Sequence, residues 1–288
     1  MGQEMTFRRL TPGAVADFHR DGFLLGEAVL DWARMEELRG EIDRVIAEAG
    51  DDPPSYAADK PPFITNLSGR TEHPVWQVVN IWSASDAFRR LLAEPAIVEA
   101  VSDLTGARVL RVWHDQVQLK PPRHGGTNGW HQDAPLWPPL SPCGAAGDGT
   151  PAQVTAWIAL DDADERNGCM TMARGSHTWG NRITDILNRR TLSLEPPAGE
   201  RLELMLRPVP AGHVHFHHAL TWHCSHGNQT SRPRRAIAIH YMTDATTYAH
   251  PSQGHPMERF IESEPGAVVA GSVFPVVFDA PGAGPDSR

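Results

Sequence analysis

Two histidines and one aspartate in this sequence have the types and spacing that could hold a transition-metal ion. His131 and Asp133 are separated by one residue, and His223 lies much further along the chain. On an extended segment, side chains two residues apart leave the same face, so a strand would let His131 and Asp133 reach one ion. Two imidazoles and one carboxylate can cap one face of Fe(II) and leave the opposite positions open, which is the ligand set of non-haem iron oxygenases.

The His-x-Asp spacing alone is a weak signal for a metal site. With 15 histidines in 288 residues, such a match is expected by chance about once. A hydrogen-bonded histidine or a loop aspartate would explain any one of these residues equally well. The downstream residues strengthen the interpretation, because Ser225 stands two positions after His223 and Arg234 lies on the following predicted strand. Together these residues provide three metal ligands and a clamp for an anion, in the order that such a site needs.

Several longer motifs contain the same residues. They are, in chain order, LTPGAVADFHRDGFLL (10–25), DQVQLKPP (115–122), WHQDAPLW (130–137), VTAWIALDDADERNGCMTMARGSH (154–177) and WHCSHGNQTSRPRRAIAIHYM (222–242). From about residue 10 to about residue 245, the sequence resembles the phytanoyl-CoA dioxygenase family of Fe(II)- and 2-oxoglutarate-dependent oxygenases. The resemblance is specific, because several motifs occur in the family's order.

The resemblance implies a metal site and a reaction type. His131, Asp133 and His223 would bind Fe(II), 2-oxoglutarate would chelate that ion through its 1-carboxylate and keto oxygen, and O2 would take the last position. The reaction would release succinate and CO2 while a substrate C–H bond is oxidised. Related halogenases lack the carboxylate of Asp133, so that a halide can bind the iron. The presence of Asp133 therefore indicates oxygenation.

The resemblance also implies which residues bind 2-oxoglutarate. Arg234, supported by the Ser225 hydroxyl, would hold its distal carboxylate, since a guanidinium offers a two-pronged geometry that an ammonium does not. Gln116 and Trp157 match positions that flank this cosubstrate. A structural role would explain Trp157 equally well.

Arg235 is the rival to Arg234, and strand alternation separates the two. Arg234 would share its face with two alanines and His240, whereas Arg235 would share its face with two isoleucines and Tyr241. Small residues leave room for a ligand, whereas isoleucines indicate packing beneath helices. The family motif also points to Arg234.

The histidine-rich run at 212–218 resembles a second metal site, but we interpret it as mostly structural. The family usually has Gly-Asp where Gly212-His213 stands, and its histidine at the position of His217 is not a ligand. His226 would replace His223 as the ligand if the family motif were aligned three residues further along the sequence. The distance from His226 to Arg234 would then be too short for the family pattern.

Composition excludes several classes of protein. A formal charge of −9 argues against nucleic acid as a partner, because phosphate binding requires clustered cations. Three cysteines without a C-x-x-C pair indicate neither a disulfide framework nor a thiolate zinc site, and they fit a reducing compartment. No apolar run is long enough for a membrane span. We therefore expect a cytoplasmic enzyme with a small-molecule substrate, and the sequence does not specify its oligomeric state.

Hydrophobic periodicity predicts a mainly β fold with helical additions. Capping residues and apolar stripes predict helices after Thr11 and after Asp31, the second with Trp32 on its buried stripe, and two more at roughly 85–93 and 95–105. From 108 the period changes to two, with a polar face on one side of the strand. Strands then recur, and with the family resemblance they predict a double-stranded β-helix (jelly roll, cupin-like) with the N-terminal helices packed on its outer sheet. One domain of residues 1–288 would comprise a helical part at about 10–105, a β-helix core at about 108–245 and a C-terminal extension at 246–288.

Three segments are predicted to be irregular: 51–76, which we expect over the mouth of the site, 134–153 and 178–200. The substrate should be specified by Trp137 and by the segments 51–76, 178–190 and 246–250. The candidate substrate-facing side chains are Phe63, Trp137, Trp179 and Tyr248. Their mixed aromatic and polar surroundings suggest a medium-sized organic molecule of natural-product or other small-molecule metabolism, which the enzyme would hydroxylate.

Two other functions remain open from the sequence. The same iron centre could perform desaturation, epoxidation or oxidative cyclisation, since the outcome depends on where the substrate radical lies. A His/Asp/His site on a cupin-like barrel could instead hold zinc or manganese in a hydrolase or isomerase, or belong to a binding module without turnover.

Overall fold

Most of the helices lie in the first third of the chain. The computed structural model describes residues 9–50, 53–68, 72–188, 193–251 and 255–280. Its α-helices are α1 (Pro12–Asp21), α2 (Trp32–Ala49), α3 (Asp86–Leu92), α4 (Pro95–Thr105) and α5 (Ile183–Asn188). Thr11 Oγ1 accepts a hydrogen bond from the Ala14 N–H at 3.2 Å, and Asp31 accepts one from the Arg34 N–H at 2.8 Å. The first two helices therefore begin where their capping residues predict.

The strands follow the alternation seen in the sequence. They are β1 (Phe23–Ala28), β2 (Phe63–Asn66), β3 (Trp76–Val79), β4 (Val109–Lys120), β5 (Asn128–His131), β6 (Leu140–Ser141), β7 (Gln153–Ala159), β8 (Met170–Ala173), β9 (Leu204–Arg207), β10 (His213–His218), β11 (His223–Ser225), β12 (Arg234–Thr243), β13 (Thr247–Tyr248) and β14 (Val276–Asp279). The larger sheet has the order β1-β10-β7-β12-β4-β3-β2, with β14 also paired to β4. The smaller sheet has the order β5-β11-β8-β9, and β6 pairs with β13. The predicted antiparallel jelly roll, a double-stranded β-helix, is confirmed.

The larger sheet carries a different apolar layer on each face. On β12, Ile237 and Tyr241 belong to the large core that also contains residues of α2, α3 and α4. Ala236 and Ala238, on the opposite face, belong to a smaller cluster between the two sheets. The Tyr241 hydroxyl donates a hydrogen bond to the Leu92 carbonyl at 3.0 Å, which ties the sheet to the end of α3. The N-terminal helices thus pack on the outer face, as predicted, and the alanine face is directed inward.

Two expectations for the N-terminal half need correction. Trp32, which the apolar stripe of α2 would bury, is 66% exposed and lies 5.2 Å beneath the Arg39 guanidinium. The segment 51–76, expected as a loop, contributes β2 and β3 to the larger sheet, and residues 51, 52 and 69–71 lie outside the described residues. None of the described helices is both long and apolar enough to cross a bilayer.

Candidate metal centre

His131, Asp133 and His223 meet at the edge of the smaller sheet. His131 ends β5 and His223 begins β11, and the two residues are directly paired across these antiparallel strands. Asp133 follows the strand with φ −76° and ψ −56° and precedes a 3-10 turn at Ala134–Leu136. The expectation that one strand carries both His131 and Asp133 is therefore wrong for Asp133. The chain leaves the sheet after His131 and turns, which brings the carboxylate within reach of both imidazoles.

The three side chains are close enough to share one ion. Asp133 Oδ1 lies 3.8 Å from His131 Nε2 and 3.7 Å from His223 Nε2. All three ligand atoms fall within 4.8 Å of one another. Among the described residues, these three side chains form the cluster of histidine and carboxylate groups that could hold a metal ion. Two atoms that each bind the same ion at about 2.1 Å can be at most about 4.2 Å apart. The distances from Asp133 Oδ1 to the two Nε2 atoms are both below this limit. Two imidazoles and one carboxylate on one side of a cavity fit Fe(II).

Backbone carbonyls set the tautomer of both imidazoles. His131 Nδ1 lies 2.8 Å from the Gly129 carbonyl, and His223 Nδ1 lies 3.0 Å from the Thr221 carbonyl. A carbonyl only accepts, so each Nδ1 must carry the proton and donate it. Each Nε2 then keeps its lone pair, directed toward Asp133. This is the tautomer that a metal ion requires.

Two further residues hold the other oxygen of the carboxylate. Asp133 Oδ2 accepts a hydrogen bond from Thr155 Oγ1 at 2.8 Å and lies 3.1 Å from His217 Nε2. Burial opposes ionisation of this carboxyl, but the imidazoles of His223 and His217 hold the pKa of Asp133 well below its usual value. The carboxylate is therefore ionised and held by contacts to one oxygen, which leaves Oδ1 for an ion.

Both candidate imidazole ligands are neutral at physiological pH. Burial, followed by repulsion from the neighbouring His223, lowers the pKa of His131 to about 4. Burial also lowers the pKa of His223, although the Asp133 carboxylate opposes the shift. Metal binding requires the unprotonated ring, so little competition from protons is expected near neutral pH.

Arg234 faces the same cavity from β12. It is only 1% exposed, and its Nε and Nη1 have no hydrogen-bond partner among the described residues. Its guanidinium carbon lies 5.5 Å from the centre of the Trp157 ring. Arg235 lies on the opposite face, where its Nε and Nη2 donate to the Asp161 carboxylate at 2.9 and 3.0 Å. Strand alternation thus separates Arg234, which has no ion pair among the described residues, from Arg235, which is paired with Asp161.

A buried lysine lies beside Arg234. Lys120 is fully buried and pairs with Arg234 in the register of β4 and β12. Its Nζ donates to Ser225 Oγ at 2.8 Å and to the His226 carbonyl at 2.5 Å. Burial first, and the charge of Arg234 second, lower the pKa of Lys120 to about 6. Neither residue makes an ion pair within the described ranges. An anion placed between Ser225 and Arg234 would be stabilised by the charge of Arg234, while the neutral Lys120 amine holds the Ser225 hydroxyl in place.

The metal-binding group and Arg234 open into one cavity of about 300 Å³. Of the expected cosubstrate residues, Gln116, Trp157, Ser225 and Arg234 all line it. Its remaining lining is mostly uncharged and comes from both sheets and from the segment at 51–76, through side chains that include Tyr56, Leu67, Gln77, Gln118, Asn128, Leu136 and Met170. The expectation that 51–76 lies over the mouth agrees with the positions of Tyr56 and Leu67.

Only one of the four expected substrate-facing residues lines this cavity. Trp137 does so, whereas Phe63, Trp179 and Tyr248 are directed elsewhere. Phe63 is 1% exposed and packs on Tyr56 with ring centres 5.3 Å apart. Trp179 packs in a separate apolar cluster, and Tyr248 is buried in the large core with its hydroxyl 3.2 Å from Glu258. These three aromatic residues complete the packing of the fold.

Sequence reasoning missed three histidines that form one side of the cavity. His114, His240 and His255 line it together with Trp137. The His240 ring centre lies 4.5 Å from that of His114 and 4.8 Å from that of Trp137. Two signals were present: His114 belongs to the polar face of β4, and His240 belongs to the inward face that also carries Arg234. Nothing in the sequence indicated that the two faces meet.

The histidine-rich run divides into different roles. His215 and His218 are buried, and His217 contacts Asp133 without joining the three ligand atoms. His226 is exposed and its carbonyl accepts from Lys120, so it does not take the position of His223.

Several known proteins are similar to this chain in sequence and in architecture. A family model described as phytanoyl-CoA dioxygenase matches residues 18–236. The peroxisomal phytanoyl-CoA dioxygenase of Rattus norvegicus is 24% identical over 242 residues, which are 80% of this chain and 68% of that protein. The non-heme alpha ketoglutarate dependent carbocyclase SnoK from nogalamycin biosynthesis has a TM-score of 0.74 at 25% identity, covering 94% of this chain and 99% of that chain. The epimerase SnoN, in complex with Fe3+, alpha ketoglutarate and nogalamycin RO, has a TM-score of 0.65 at 26% identity, covering 92% and 97%.

Proposed function

The chain belongs to the phytanoyl-CoA dioxygenase family and is an Fe(II)- and 2-oxoglutarate-dependent oxygenase, and we propose that it hydroxylates an unactivated C–H bond of a medium-sized, uncharged organic molecule. The observation that carries this proposal is one shared cavity, lined by the His/Asp/His group and by a buried arginine that has no hydrogen-bond partner among the described residues. Natural-product or other small-molecule metabolism is the proposed context, since the two nogalamycin enzymes share the whole architecture.

In this proposal His131, Asp133 and His223 hold the iron. Their Nε2, Oδ1 and Nε2 atoms would be the protein ligands, and the cavity would leave room for 2-oxoglutarate and O2. Bound Fe(II), with 2-oxoglutarate and O2, supplies an oxidant strong enough to remove hydrogen from a C–H bond, with release of succinate and CO2. In related halogenases a halide binds the iron where Asp133 would bind it here. The presence of this carboxylate therefore supports oxygenation.

Arg234 and Ser225 hold the distal carboxylate of 2-oxoglutarate. The guanidinium offers N–H groups that have no hydrogen-bond partner among the described residues, and the Ser225 hydroxyl is kept in place by Lys120 at 2.8 Å. The buried charge of Arg234 binds a carboxylate strongly, because little water competes for it there. A zinc hydrolase would leave this buried guanidinium without a role, so that alternative has less support.

The cavity lining argues against a CoA thioester as substrate. Apart from Arg234, no lysine or arginine lines the cavity in the described residues, so the phosphates of CoA would meet no cation there. The lining amides, imidazoles and indoles suit an uncharged molecule with hydrogen-bonding groups and an apolar body.

Oxidative outcomes other than hydroxylation form the second candidate. The two solved structures described above are named as a carbocyclase and an epimerase, so proteins with a similar fold are linked to ring formation and to epimerisation. These outcomes differ in the product and not in the use of 2-oxoglutarate.

Turnover of the purified protein with Fe(II), 2-oxoglutarate, isotopically labelled O2 and a set of uncharged candidate substrates tests the proposal. We expect succinate and CO2 to form and one labelled oxygen atom to enter the product, detected by mass spectrometry. Loss of two hydrogens, or an isomer without added oxygen, would replace hydroxylation by the second candidate. The absence of both 2-oxoglutarate binding and its O2-dependent consumption would contradict the assignment of the site.

A further inference from the structure

His240 lies in a chain of hydrogen bonds that starts at the candidate metal ligand Asp133. The Thr155 hydroxyl is 2.8 Å from Asp133 Oδ2 and also 2.8 Å from His240 Nδ1. This arrangement arises because His240 and Thr155 are paired across β12 and β7. Both side chains are buried, with 5% and 1% of their surfaces exposed.

The direction of each hydrogen bond in this chain follows from counting protons. An ionised carboxylate only accepts, so the single proton of the Thr155 hydroxyl must be donated to Asp133. The hydroxyl oxygen must then accept from His240, which places the ring proton of His240 on Nδ1. In the neutral ring, Nε2 is left with a lone pair and no proton.

The free ring nitrogen of His240 faces the cavity. His240 lines the cavity, and its Nε2 has no hydrogen-bond partner among the residues that the structure describes. The ring is fixed by the edge of His114, at an interplanar angle of 71°, and by Trp137, at 62°. In this tautomer Nε2 is a fixed hydrogen-bond acceptor, and the ring lies beside the metal-binding group, with Nδ1 3.9 Å from Asp133 Oδ2.

We propose that His240 is a specificity-determining residue that accepts a hydrogen bond through Nε2 from a hydroxyl group of an uncharged substrate. The inference rests on the proposed function, since it assumes that the substrate enters this cavity beside the metal. The adjacent Trp137 ring provides the apolar surface for the body of such a molecule. The proposed substrate class is thus an alcohol or phenol with an aromatic or alicyclic skeleton.

A pair of probe molecules tests this acceptor without knowledge of the natural substrate. The probes are 2-naphthol and its methyl ether, which differ only in the hydroxyl proton. The protein is loaded with Mn(II) and 2-oxoglutarate, and binding is measured by the paramagnetic relaxation of the probe protons. We expect 2-naphthol to bind about 3- to 10-fold more tightly than the methyl ether, the effect of one hydrogen bond.

Two variants assign the preference to one nitrogen. His240→Asn keeps a donor near the position of Nδ1 but has no acceptor at Nε2, so we expect the preference for 2-naphthol to disappear. His240→Gln can place its amide oxygen near the position of Nε2, so we expect the preference to remain. Equal binding of both probes to the unmodified protein would overturn the proposal. So would a preference that survives in His240→Asn, a preference lost in His240→Gln, or a probe that Mn(II) does not relax.

The experiment also separates this proposal from the assignment of the site itself. Titration of Mn(II) and 2-oxoglutarate into the unmodified protein comes first, without any probe. A protein that binds neither contradicts the proposed function. A protein that binds both but does not discriminate between the probes contradicts only the role of His240.

Discussion

His217 Nε2 lies 3.1 Å from Asp133 Oδ2, the oxygen that Thr155 also contacts. The two residues come from different sheets of the fold, because His217 lies on β10 and Asp133 follows β5. This contact joins the sheets at the candidate metal centre. It also fixes the orientation of the carboxylate, so that Oδ1 is the atom directed toward His131 and His223.

Replacing His217 should weaken metal binding. We expect His217→Phe to lower the affinity for Fe(II) about 10- to 100-fold, the usual effect of removing a residue that orients a metal ligand. Anaerobic titration with Fe(II) in the presence of 2-oxoglutarate measures this affinity. His213→Phe is the matched control, since His213 is on the same strand and its ring hydrogen-bonds to the Ala211 carbonyl, at 3.4 Å, and not to Asp133. Equal affinities in the two variants would show that the contact to Asp133 has no effect on the metal.

Two neighbouring histidines distinguish the ligand from its rival. We expect His223→Ala to abolish Fe(II) binding and turnover, because it removes one of three ligand atoms that lie within 4.8 Å of one another. His226→Ala should bind iron normally, because the exposed His226 side chain is outside this group. Metal content after anaerobic loading and desalting measures both. Iron retained in His223→Ala and lost in His226→Ala would mean that the register is shifted by three residues.

Lys120 should make the stability of the metal-free protein depend on pH. Burial lowers its pKa from 10.5 to about 6, so between these values the unfolded state binds more protons than the folded state. The free energy of unfolding should therefore rise with pH from about 6 to about 10.5 through this group. Lys120→Met should remove this contribution, because the variant has no group to titrate there. Urea unfolding at a series of pH values measures the difference.

The control for this prediction is the other lysine of the chain. Lys60 is exposed, and Lys60→Met should keep the pH dependence of the unmodified protein. A Lys120→Met protein whose stability follows the same curve as Lys60→Met would contradict a buried, neutral Lys120.

The sequence predicted those parts of the site that depend on local periodicity. The two-residue period of a strand distinguished Arg234 from Arg235, and the structure places one at the cavity and the other against Asp161. Thr11 and Asp31 correctly predicted where helices begin, because a cap involves only nearby residues.

The unpredicted parts depend on which strands become neighbours. His240 reaches Thr155 only because β12 pairs with β7 in one register, and His217 reaches Asp133 only across the two sheets. Neither relationship has a local pattern that could reveal it. The sequence also could not show where the ring of Tyr248 lies. An aromatic residue is suited both to lining a cavity and to packing in a core, and the structure places Tyr248 in the core.

Arg234 provides the sharpest test of how 2-oxoglutarate binds. Arg234→Ala removes the buried guanidinium that has no partner among the described residues, and a charge-assisted hydrogen bond contributes about 1.5–3 kcal/mol. We therefore expect the KM and Kd for 2-oxoglutarate to rise about 10- to 100-fold. Arg235→Ala is the control, because it removes a neighbouring arginine that is paired with Asp161 on the opposite face. It should leave the affinity for 2-oxoglutarate unchanged while lowering stability. Circular dichroism of both variants shows whether they fold, and unchanged 2-oxoglutarate affinity in a folded Arg234→Ala would remove this residue from the cosubstrate site.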